Sequence, residues 1–73
     1  MKVRKHVIFS GRVQGVGFRY RAYYAAQALG LTGWVRNNYD DTVEMEVEGE
    51  ELAIYELFGR LRNGTFIYID NID

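Results

Sequence analysis

The run Val43-Glu44-Met45-Glu46-Val47-Glu48 alternates apolar and acidic residues without a break. Successive side chains on a strand point to opposite faces, so this run is a strand with Val43, Met45 and Val47 toward a core and three glutamates toward water. Such a strand belongs in an antiparallel sheet covered on one side only. The cover must come from elsewhere in the chain, and two stretches can supply it. Phe18, Ala22, Ala25, Ala26 and Leu29 recur at helical spacing over Phe18–Leu29, with Gly30 as a left-handed stop. Ile54, Leu57, Phe58 and Leu61 form a second apolar stripe over Glu50–Arg62, acidic in its first turn and basic in its last. Gly59 inside that helix costs about 1 kcal/mol relative to alanine.

Three further strands complete the set. Val3–Ser10 places Val7 and Phe9 on one face and His6 and Ile8 on the other; Gly33–Asn38 and Phe66–Ile72 are the remaining two. Tyr39-Asp40-Asp41-Thr42 is turn chemistry. The order strand, helix, strand, strand, helix, strand predicts an α+β ferredoxin-like (βαββαβ) sandwich, two helices on one face of a four-stranded antiparallel sheet. It is a single domain over residues 1–73. Right-handed crossover sets strands one and two parallel with strand three between them. Their C-terminal ends then share one edge of the sheet, about 10 Å apart.

With 73 residues the chain buries only about 60% of its unfolded surface, so its stability margin is narrow. A 48% hydrophobic composition argues for a packed core rather than disorder. The absence of cysteine excludes a disulfide framework and a thiol nucleophile. No apolar run has the length of a membrane span, and no signal-peptide core follows Met1–His6, so no membrane partner and a cytoplasmic setting are expected. His6 has no second histidine or cysteine at ligand spacing and reads as a strand-face residue, so no metal is expected.

Between the first strand and the first helix runs Ser10-Gly11-Arg12-Val13-Gln14-Gly15-Val16-Gly17-Phe18-Arg19. A glycine-rich turn can gather main-chain N–H groups around an anion, and the helix behind it adds the positive end of its dipole. Arg19, in the first helical turn, could close a guanidinium fork on phosphate oxygens. The alternatives are a plain connection and a solvated helix arginine. Charge is unevenly placed: every residue from Met1 to Tyr39 is neutral or basic, and all carboxylates fall from Asp40 onward. Either two outer surfaces differ in sign, or the half bearing the loop keeps carboxylates away from an anion; the coincidence with the loop favours the second. Tyr20, Tyr23 and Tyr24 read as packing residues rather than an aromatic ligand box.

Gly11-Arg12-Val13-Gln14-Gly15-Val16-Gly17-Phe18-Arg19, followed at its usual distance by Gly33-Trp34-Val35-Arg36-Asn37, resembles the acylphosphatase signature. The resemblance runs from about Val3 to about Gly64. It implies hydrolysis of acyl phosphates without a cofactor. It places the amide cradle on Gln14, Gly15, Val16, Gly17 and Phe18, the phosphate-binding arginine on Arg19, and the water-positioning asparagine on Asn37. Arg12 and Arg36 would be surface charges that raise the local potential. Family members commonly have glycine where Asp41 stands, a position aspartate tolerates. They also continue into a further C-terminal strand, whereas this sequence stops at Asp73. That departure implies an uncovered sheet edge, through which a homodimer could form, or a piece of a longer protein, including a domain of a carbamoyl-phosphate-using enzyme.

The chemistry suits the residues at hand. A carboxylate leaves an acyl phosphate without needing a proton, and the sequence has no Ser-His-Asp set and no carboxylate pair near the loop. Positioning and electrostatics would carry the reaction. The expected partners are a small acyl phosphate and inorganic phosphate or another anion in the loop. Nucleic acid is not expected, because Glu44, Glu46 and Glu48 on the open face would repel its backbone. The rival reading is a non-catalytic anion-binding or interaction domain inactivated by the shortened C-terminus.

Overall fold

The computed structural model describes residues 1–11, 13, 17–62 and 65–71. Its elements are β1 (Lys2–Gly11), α1 (Phe18–Ala28), β2 (Thr32–Asn37), β3 (Val43–Glu50), α2 (Glu51–Leu61) and β4 (Thr65–Asn71), each boundary within two residues of the sequence reading. The strands lie in the order β2-β3-β1-β4 with every pairing antiparallel. β1 and β2 are therefore parallel with β3 between them, as the crossover rule requires.

Period decides what is buried. Val7 and Phe9 of β1 and Val43, Met45 and Val47 of β3 face the helices and are buried, as are Ile54, Leu57, Phe58 and Leu61 of α2. From α1 only Phe18 and Ala22 are fully buried, with Ala25 and Ala26 packed at the margin. The N–H groups of Gly30 and Leu31 donate to the carbonyls of Gln27 and Ala26 at 3.1 and 2.9 Å, closing α1 while Leu31 turns into the core. Gly33 has φ 140°, and a Cβ there would sit 1.9 Å from the Glu46 carbonyl oxygen, so β2 approaches β3 as only glycine allows. Asp41 takes the left-handed φ of 67° expected of it. Beside it, the Thr42 hydroxyl and N–H donate to Asp40 at 2.6 and 3.2 Å and hold its carboxyl below the usual range.

The open face corrects two expectations. The β3 glutamates do not simply face water. Arg4 of β1 bridges Glu46 and Glu48 at 2.7 and 2.8 Å, and His6 Nε2 approaches Glu44 at 2.5 Å. Arg36 of β2 donates to Glu44 at 3.0 Å, so it is not a free charge raising the local potential. The hydrogen bond with His6, then those with Arg36, lower the Glu44 pKa. Part of the split of charge along the sequence is used here, where the acidic open face of β3 is flanked by basic residues of β1 and β2.

Gly59 is exposed within α2, and a Cβ there would meet nothing within 4 Å. Gly59→Ala is expected to stabilise the domain by about 1 kcal/mol. Thermal unfolding would then shift upward by roughly 4–8 °C, without a change in activity.

Candidate active site

The Gly11-to-Phe18 connection is pinned at three points. Phe9 at the end of β1 and Phe18 at the start of α1 pack ring against ring, centroids 5.1 Å apart. Val13 between them is buried, and its N–H donates to the Gly11 carbonyl at 3.0 Å. Arg12, Gln14, Gly15 and Val16 lie outside the described residues, and with them most of the expected cradle. Gly17 and Phe18 lie within them. Gly17 takes φ 74° as the N-cap of α1 and offers no side chain to the helix's first N–H groups.

The two helices differ in how their N-termini are furnished. α2 has Glu51 in its first turn, Arg60 in its last and a Glu56–Arg60 pair at 2.9 Å, the arrangement a helix dipole favours. α1 has no side-chain cap and no carboxylate in its first turn, and it carries Arg19 there instead. A cation at the positive end of a helix opposes the dipole, and a local rule broken without a compensating contact marks a candidate functional position. Arg4, Arg36 and Arg60 are ion-paired and Arg21 lies over the Phe18 ring at 5.5 Å. Arg19 is exposed and, among the described residues, engages no protein partner.

Arg19 lines an open hollow of about 290 Å³ together with Tyr20, Tyr23, Tyr24 and Val35. Val35 lies in β2 opposite Met45, on the helix-covered face. Asn37 is two residues further on, hence on the same face and about 6.5 Å along the strand. It is exposed, with no side-chain hydrogen bond among the described residues. Across the sheet Asn37 is in register with Val43, and Val43 with Phe9, so Asn37 stands in the row where β1 approaches its loop. The fold thus sets Asn37 one pleat beyond the hollow that Arg19 lines. The tyrosines correct another expectation: Tyr20, Tyr23 and Tyr24 are 63%, 53% and 61% exposed and pack chiefly on one another rather than in the core.

The fold is that of a small α+β sandwich, two helices on one face of a four-stranded antiparallel sheet. The family model for acylphosphatase matches residues 5–73. The chain belongs to the acylphosphatase family. The match runs on to residue 73 and so includes β4, beyond the reach read from the sequence motifs. The chain is 55% identical to the acylphosphatase of Geobacillus kaustophilus over 62 residues, 85% of this chain and 66% of the relative, just under two thirds of its length. It is 42% identical to that of Caldanaerobacter subterraneus, covering 100% of this chain and 82% of the relative. The structure of an acylphosphatase from Coxiella burnetii superposes with a TM-score of 0.89 at 35% identity, over 99% of this chain and 82% of that one. Among the described residues no helix is long and apolar enough to cross a membrane.

Proposed function

We propose that this protein hydrolyses acyl phosphates to a carboxylate and inorganic phosphate. The observation that carries the reading is Arg19, exposed at the start of α1 and without a partner among the described residues, lining a hollow with Val35, one pleat along β2 from Asn37. Arg19 and main-chain N–H groups from Gln14 to Phe18 hold the phosphoryl oxygens and stabilise the charge that spreads over them. The Asn37 amide orients a water. The water oxygen attacks phosphorus, the bond from phosphorus to the acyl oxygen breaks, and its electron pair leaves on the carboxylate. The proton released by the water passes to a phosphate oxygen, since asparagine cannot take it. No general acid is required, and the arrangement supplies none.

Relatives that carry the acylphosphatase name support this reading over a non-catalytic one. The test is release of phosphate from benzoyl phosphate by the purified chain. Release well above the buffer-only rate is expected. A rate equal to buffer, with inorganic phosphate still bound, would instead support the non-catalytic alternative.

A further inference from the structure

We propose that the seam between α1 and β2 is an acyl-group subsite, so that the enzyme prefers acyl phosphates with long or aromatic apolar acyl groups over acetyl phosphate. The inference rests on the hydrolysis reading above and adds a substrate class to it.

The hollow at Arg19 does not stand alone. Tyr23 and Val35 also line a second hollow of about 370 Å³, which continues down the seam past Ala26, Leu31 and Trp34. Sharing Tyr23 and Val35, the two make a trough with Arg19 at one end and a mainly apolar lining behind it, in which Gln27, Thr32 and Glu46 are the polar members. An exposed cluster of tyrosines is an uncommon surface for a small monomer and marks a contact site. Tyrosine gives such a site rigid apolar area with few rotatable bonds.

Position along β2 fits the reaction as well. In-line displacement puts the attacking water and the leaving group on opposite sides of phosphorus. Asn37 stands at one end of the exposed stretch of β2 and Val35 a pleat behind it, toward the trough. With phosphate at Arg19 and water at Asn37, the acyl group points down the strand toward Val35 and Tyr23.

A series of straight-chain acyl phosphates tests this, because acetyl, butanoyl and hexanoyl phosphate share nearly the same leaving-group chemistry. Full burial of a methylene is worth about fourfold in binding. In a trough open to water, kcat/KM is expected to rise about tenfold from acetyl to hexanoyl, mostly through KM. Tyr23→Ser should reduce that ratio to about twofold, and Tyr23→Phe should keep it, since the ring and not the hydroxyl makes the wall. A flat series in the wild type, or a Tyr23→Ser variant that lowers all three substrates by one factor, overturns the subsite. Calorimetric titration with methyl-, butyl- and hexylphosphonate reads the trough without turnover. Tightening with chain length supports the subsite even if no acyl phosphate is hydrolysed, an outcome that would sink the hydrolysis reading alone.

Discussion

Replacing Arg19 by alanine is expected to lower kcat/KM for benzoyl phosphate by about 10³-fold or more while leaving the fold intact. Arginines that stabilise charge on a transferring phosphoryl group contribute about 10³–10⁵ in rate. Arg19 is the natural bearer of that charge here, because the other described arginines of β1 and β2 are already committed: Arg4 to Glu46 and Glu48, Arg36 to Glu44. The same isolation makes the variant harmless to stability. An exposed side chain without a partner among the described residues leaves no cavity and orphans none of their carboxylates, so the change in unfolding free energy should stay within about 0.5 kcal/mol. Arg19→Lys keeps the charge but loses the fork, and should recover only part of the rate. Steady-state kinetics with a parallel thermal melt separates the effects; an alanine variant retaining more than about a tenth of wild-type turnover would remove Arg19 from the reaction.

The elements were legible because each is written in one unambiguous period. Val43 to Glu48 alternates cleanly, and Ile54, Leu57, Phe58 and Leu61 recur at helical spacing; both lie where the sequence put them. The position of Asn37 in the sheet was legible for a different reason. The split βαβ order makes β1 and β2 parallel, so the end of β2 that carries Asn37 lies at the same edge of the sheet as the end of β1. What the sequence hid was pairwise. Nothing in the run from Met1 to Tyr39 says that Arg4, His6 and Arg36 meet carboxylates, since that depends on the register of β3 between its two neighbours. Lys5 is buried beside Val7 on the core side of β1, within 3.8 Å of Glu51, a placement its charge argues against. The tyrosines of α1 read as packing because their residue type is usually buried at least in part. Spacing still held the signal: Arg19 and Tyr23 are four residues apart and share one helix face.

The charge pattern bears on function in a way that its length along the chain disguises. The β3 carboxylates could compete with a phosphate for Arg19 if they shared its side of the sheet. Alternation keeps them on the opposite face, where Arg4, His6 and Arg36 hold them. The helix-covered side of β3 presents Val43, Met45 and Val47 instead. The split of sign along the sequence is thus joined by a second separation, of the β3 carboxylates from the helix-covered side of the sheet.

Asn37→Ala should lower kcat by about 10²–10³-fold with little change in KM, the second large effect expected of this site. A group that orients water acts on the transition state and adds little to binding of the phosphoryl group, so kcat and kcat/KM fall together. Loss of such positioning corresponds to about 3–4 kcal/mol of barrier. The residue is exposed at the end of an edge strand, and its side chain holds nothing else among the described residues, so the domain should melt as the wild type does. Asn37→Asp discriminates between positioning and general-base catalysis. A carboxylate of the same shape could accept the water's proton and would rescue turnover if a base were limiting. If the phosphate itself takes the proton, the added negative charge only repels the substrate and raises KM. Rescue by Asn37→Asp would mean that this position is limited by the lack of a base, and a KM increase in Asn37→Ala with kcat preserved would move Asn37 from orienting water to holding phosphate.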